Sequence, residues 1–125
     1  MTGQLPVLDL PTTALLDSSW LIGVAKGYLE APPIAVASII SRLEVLGYRG
    51  ISVGEEVIAR EVLGQINLVP IDEEVIGTAV RLRQSYGGKT VDVLIAATAL
   101  NLNLPLLTRD QDFYRYREEI QVIGI

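Results

Sequence analysis

The side chains with the capacity for chemistry in this chain are acids. Asp17, Glu44, Asp92, Asp110 and Asp112 are spread along the sequence, which has no histidine and no cysteine. Without histidine there is no imidazole base and no Ser-His-Asp relay. Without cysteine there is no thiolate nucleophile, disulfide or thiolate-bound zinc. Any metal must be held by oxygen, which selects hard ions such as Mg²⁺ or Mn²⁺. Carboxylates that converge within about 4–6 Å repel one another, and a divalent cation relieves that repulsion. Such an ion orients and activates water and stabilises charge on a phosphoryl oxygen. Phosphodiester hydrolysis is the reaction class that uses this chemistry and needs neither His nor Cys.

Each acid also has an ordinary structural explanation. Asp17 can cap the helix after it, and Asp92 or Thr90 can cap theirs. Asp110 and Asp112 can form Asx-turns, or Asp112 can be solvated. Glu44 is flanked by Leu43, Val45 and Leu46. A Glu in apolar company needs a partner, a metal or a shifted pKa. The signal is therefore the set and not any single acid.

The set has meaning only if the fold gathers it. Ala14–Leu16 is a short apolar run ending at Asp17-Ser18-Ser19, a helix start. A helix over Trp20–Leu29 is expected to break at Pro32-Pro33. Ile34–Ala37 reads as a buried strand, Ser38–Leu46 as a helix stopped by Gly47, and Glu55–Gln65 as an amphipathic helix. Leu68–Ile71 is the next strand, broken at Pro70. Asp72-Glu73-Glu74 opens a helix that runs to Tyr86 and stops at Gly87-Gly88. Val91–Asn101 is an apolar helix, Pro105–Leu107 a strand, Phe113–Glu119 a short helix and Gln121–Ile125 a last strand. Leu5–Leu10 can be an extra strand or an arm. The order β-α-β-α-α-β-α-α-β-α-β implies a three-layer α/β/α sandwich on a mostly parallel sheet of four to five strands. Ligands of such sheets bind beyond the carboxyl ends of the strands. Asp17, Asp110 and Asp112 fall at strand exits; Glu44 and Asp92 lie in helices that follow or precede strands.

Four stretches resemble the PIN-domain nucleases. Leu15-Leu16-Asp17-Ser18-Ser19-Trp20-Leu21-Ile22 is similar to that family's opening motif. Ser38-Ile39-Ile40-Ser41-Arg42-Leu43-Glu44-Val45-Leu46 is similar to the segment carrying its Glu. Asp92-Val93-Leu94-Ile95-Ala96-Ala97-Thr98-Ala99 is close to its third motif. Leu106-Leu107-Thr108-Arg109-Asp110-Gln111-Asp112-Phe113 matches its last. Length and spacing are most similar to VapC-type toxins of toxin–antitoxin pairs. The resemblance implies a single PIN-like domain over 1–125, with 1–13 as an N-terminal extension that has no counterpart in the usual motif.

The resemblance further implies a Mg²⁺- or Mn²⁺-dependent endoribonuclease. Asp17, Glu44, Asp92 and Asp110 take the acidic positions. Asp17 and Asp92 would touch the metal directly, and Glu44 and Asp110 would hold its waters or a second ion. Asp112 would be a further ligand or support one. Ser18 and Thr108 match positions where the family often carries a hydroxyl. The departures are Ser19 in place of a frequent Asn, Val91 in place of Pro, Val93 in place of Ala, Arg42 where a neutral or acidic residue is usual, and a short stretch from Asp17 to Ile34. None removes a carboxylate. A receiver-type signalling domain also gathers acids around Mg²⁺, but it has adjacent acids after the first strand and a Lys after the last; here Ser18 follows Asp17, and no Lys follows Lys89.

The implied partners are an RNA substrate, a VapB-type antitoxin and a second copy in a homodimer, with DNA reached only through the antitoxin. Arg109, beside the acids, is the foremost candidate for RNA phosphate; Arg81, Arg83, Lys89, Arg115 and Arg117 are weaker ones, and ordinary surface charge explains each as well. Trp20, Tyr28 and Tyr48 can stack bases or pack in a core. A PIN-like module that binds protein and no longer cleaves is the competing function. The 125 residues, half of them hydrophobic, fit one domain with a sizeable core. The net charge of −5 argues against coating nucleic acid by bulk electrostatics. No secretory signal or membrane span is legible, so a soluble cytoplasmic protein is expected.

Overall fold

The computed structural model describes residues 9–125. Its elements run β1 (Thr13–Leu16), α1 (Ser18–Ala25), β2 (Ile34–Ser38), α2 (Ile39–Leu46), α3 (Val53–Gly64), β3 (Asn67–Val69), α4 (Glu73–Tyr86), α5 (Thr90–Leu102), β4 (Leu106–Thr108), a 3₁₀ helix (Gln111–Tyr116) and β5 (Val122–Gly124). The five strands form one sheet in the order β3-β2-β1-β4-β5, and every pair is parallel.

Strand side chains alternate between faces, and here that alternation builds two cores. Leu15, Val36 and Leu106 point to one side, where Val75, Ala79 and Leu82 of α4 and Val93, Ile95 and Ala96 of α5 cover them. Ala14, Leu16, Ala35, Ala37 and Leu107 point to the other side, against Trp20 and Leu21 of α1, Val45 of α2, and Ala59 and Leu63 of α3. Both faces of the central strands are covered, which is why those strands read as apolar runs, while the edge strands β3 and β5 are only partly buried. This is the three-layer α/β/α sandwich that the element order implies.

Helix starts follow their capping residues. Asp17, Ser38, Ser52 and Asp72 cap α1, α2, α3 and α4 through their side chains, and Ser52 with Glu55 completes a capping box. The expected end of α1 is corrected. It stops at Ala25, well before Pro32-Pro33, because Gly27 takes φ +86° and turns the chain so that Tyr28 N and Leu29 N donate back to Gly23 O. The segment expected as a helix over Phe113–Glu119 is a 3₁₀ helix that starts earlier, at Gln111. Phe113 and Tyr116, three apart, fall on one side of a three-residue turn and are both buried. Of the stretch Leu5–Leu10, residues 5–8 lie outside the described residues, and Asp9 and Leu10 are not in a strand.

The chain leaves β1 toward β2 on one side and reaches β4 on the other. The reversal of strand order therefore lies at β1, and the crevice beyond the carboxyl ends of β1 and β4 is the place where this topology binds ligands.

Candidate metal centre

Asp17 stands at the β1 exit, immersed in the crevice and buried. Its Oδ1 accepts from Ser19 Oγ (2.6 Å) and Trp20 N (2.8 Å). Its Oδ2 accepts from Thr108 Oγ1 (2.5 Å) at the end of β4. Thr108 Oγ1 in turn accepts from Asp110 N (2.9 Å), and Ser19 Oγ accepts from Arg109 N (3.0 Å). Two hydroxyls thus fasten the β4 exit to the β1 exit through a single carboxylate. Burial pushes the Asp17 carboxyl above its ordinary value; the bonds from Ser19, Thr108 and Trp20 oppose that rise, and the Asp110 charge adds to it.

Asp92, Asp110 and Asp112 come from elsewhere. Asp92 sits in the first turn of α5, whose N-terminus has no side-chain cap. Asp92 is thus not the cap of its helix, and neither is Thr90. Asp110 caps the 3₁₀ helix, its Oδ1 accepting from Asp112 N at 2.9 Å. One carboxylate oxygen from each of Asp92, Asp110 and Asp112 lies within 4.8 Å of the other two. Burial first, and the Asp110 charge second, raise the Asp92 carboxyl above its ordinary value; Lys89 opposes the rise, and Glu44 and Asp112 add to it.

Glu44 lies within electrostatic reach of Asp92 but outside the trio. The expectation of apolar company for it is corrected: Glu44 is exposed, and so is its neighbour Leu43, at 67 %. The side chains of α2 that pack inward are Ser41 and Val45. Ser18 Oγ lies 2.5 Å from Glu44 Oε1 and 3.1 Å from the buried Ser41 Oγ, and so ties α1 to α2. Asp17 also lies outside the trio, set beside Asp110. The structure thus gathers all five acids at one rim but in two manners: three facing one another, and two held by hydroxyls at the edge.

Sequence reasoning missed Ser19 and Ser41. Ser41 carried a signal, since it lies one helical turn before Glu44 on the same face. Ser19 carried none, because its bond to Arg109 spans the two strand exits. Arg109 itself turns away from the acids. Its Nη1 donates to Tyr28 Oη (2.5 Å), and its guanidinium carbon lies 4.8 Å from the Tyr28 ring centroid. Trp20 belongs to the core, its Nε1 donating to Glu30 O at 2.8 Å. Tyr48 borders an apolar groove of about 250 Å³ between α1, α2 and α3, lined by Ile22, Ala25, Val45, Ile51 and Ile58.

The donor set fits a hard divalent cation. The trio offers anionic oxygens only, at mutual distances a single ion can span. Among the described residues, the ion pairs are Arg60–Glu56 and Arg81–Glu119, and neither reaches these acids. The charge gathered at the rim is unbalanced by any bonded cationic side chain.

Comparison with known proteins agrees with this architecture. Residues 14–119 match the PIN domain. A chain of a toxin–antitoxin complex from Klebsiella pneumoniae is 30% identical, with a TM-score of 0.74, covering 89% of this chain and 96% of its own. A member of the VapBC family of toxin–antitoxin systems, VapBC-5 from Mycobacterium tuberculosis, shares the fold at 21% identity and a TM-score of 0.68, covering 92% of this chain and 100% of its own. VapBC2 from Rickettsia felis, solved bound to a DNA fragment from its promoter, shares it at 11% identity and a TM-score of 0.74, covering 90% and 98%. No curated protein matches significantly. With its parallel sheet, its rim of acids and a match spanning nearly its whole length, the chain belongs to the PIN domain family.

Proposed function

We propose that the protein is a Mg²⁺- or Mn²⁺-dependent endoribonuclease and the toxin of a VapBC-type toxin–antitoxin pair. The observation that carries this is the approach of Asp92, Asp110 and Asp112 to within 4.8 Å with no salt bridge to them among the described residues. These three would hold the ion. Asp17 keeps an acceptor position on Oδ2 beyond the bond from Thr108, so it can join them from the β1 side. Glu44, steadied by Ser18, completes the acid set from α2. Bound there, the ion supplies Lewis-acid stabilisation of the phosphoryl group and a more acidic water. The chain's own residues align the RNA strand: Arg109 offers its remaining N–H donors to phosphate, while Thr108 and Ser19 keep Asp17 and the β4 exit in fixed relation.

The antitoxin belongs in the same scheme. The apolar groove of α1–α3 is concave and suits an apolar segment of a protein partner. A homodimer also belongs to it, and Ile76 and Val80, exposed one turn apart on α4, are apolar surface available for one. A cytoplasmic location follows from an RNA target, and no described helix is long and apolar enough to cross a membrane.

Cleavage of several RNAs with Mg²⁺, with chelator, and with Asp92→Asn tests the enzyme. The expected result is cleavage by the wild type with Mg²⁺ alone. The groove also favours a second reading, a protein-binding module without activity. That reading prevails if wild type and variant are equally inert while a protein partner still binds.

A further inference from the structure

We infer that Tyr28 positions Arg109 as a phosphate clamp at the edge of the acid rim, holding its guanidinium off the carboxylates and ready for the RNA backbone. This rests on the nuclease reading above. Arg109 adjoins Asp110 in sequence, and its backbone N is bonded to Ser19 Oγ, which is itself bonded to Asp17. An untethered guanidinium in that position is drawn onto the acids by charge, where it neutralises them and competes with a cation. Tyr28 prevents this in two ways. Its hydroxyl accepts from Nη1 at 2.5 Å, and its ring lies 4.8 Å from the guanidinium carbon. The Tyr28 backbone is held where Gly27 turns the loop and Tyr28 N donates to Gly23 O at 3.1 Å, and its half-buried side chain packs against the α1-side core.

Of the other arginines, Arg81 is paired with Glu119, while Arg115 donates to the carbonyls of Asp112 and Tyr86 and Arg117 to that of Tyr114. Arg109 is exposed and spends one of its five donors on Tyr28, which leaves a fork that fits a phosphate.

Binding of a fluorescent oligoribonucleotide to Asp92→Asn protein, followed by anisotropy over a range of salt, tests this without cleavage. Arg109→Gln is expected to weaken binding and to lower the slope of log affinity against log salt by about 0.7. Tyr28→Leu is expected to weaken binding by about threefold to tenfold. In the Arg109→Gln background, Tyr28→Leu should change it by less than about twofold. Tyr28→Phe keeps the ring and should recover part of the loss. In the cleaving protein the same Tyr28 variants should raise KM and leave kcat nearly unchanged. Equal losses in both backgrounds, or unaltered binding by Tyr28→Leu, overturn the clamp. So does weakening of a protein partner with RNA binding intact. If the parent protein neither binds nor cuts RNA, the nuclease reading fails first; if it does both and is indifferent to Tyr28, only the clamp fails.

Discussion

Asp17 and Asp92 share one rim, yet their surroundings differ in kind. Asp17 is buried and supplied with three donors, from Ser19, Trp20 and Thr108. Asp92 is half-buried and faces two other carboxylates. On the β1 side, a charge is withdrawn from water and repaid with hydrogen bonds that join two strand exits. On the α5 side, charges are brought together with no bonded cation, and Lys89 offsets their repulsion only in part. The first arrangement organises the crevice, and the second leaves it wanting a cation. Their removal should therefore register in different measurements.

The largest expected effect is on activity. Asp92→Asn should lower Mg²⁺-dependent RNA cleavage by about 100-fold or more, as loss of a charged oxygen donor to the ion requires. The same variant should not destabilise the protein without added metal, since it relieves repulsion from Asp110 and Asp112. Activity assays alongside urea unfolding check both halves.

The next effect is on stability. Thr108→Val preserves shape but leaves Asp17 short of a donor, at a cost of about 1–3 kcal/mol. Asp112→Asn, on the trio side, should cost nothing comparable. Equal losses in urea unfolding would erase the distinction between the two sides.

The smallest effect concerns pH. Because burial raises the folded-state value for Asp17, the folded protein holds the proton more tightly than the unfolded chain. The contribution of this group to stability therefore falls as pH rises from its ordinary value through the folded value. With no metal added, the Tm of Asp17→Asn relative to wild type should therefore be higher at pH 7 than at about pH 3.8, the ordinary value, whatever constant cost the lost acceptor adds. A Tm difference that is the same at both pH values would show that the carboxylate's charge is not its source.

The order of elements was legible because the strands are short, mainly apolar runs and most helix starts carry their own caps, as Asp17, Ser38 and Asp72 do. The 3₁₀ form of Gln111–Tyr116 was not legible, because it depends on both Phe113 and Tyr116 reaching the α4–α5 core. The five acids were legible as a set at strand exits and nearby helices. Their division was not: the surroundings of Asp17 include Thr108, 91 residues away, and the exposure of Glu44 depends on how α2 lies against its neighbours. The sharing of Arg109 between Ser19 and Tyr28 was equally hidden, since those partners are 90 and 81 residues distant.

By itself the sequence determined the alternation of buried strands and helices, and with it a crevice edged by carboxylates in a chain that has no His or Cys to serve it. Those properties follow from local periodicity, capping chemistry and composition. Only the tertiary structure decided which carboxylates face one another, which are satisfied by hydroxyls, and where the neighbouring arginine points. Those outcomes depend on the parallel placement of β1 beside β4, which brings residues some 90 positions apart into hydrogen-bond contact.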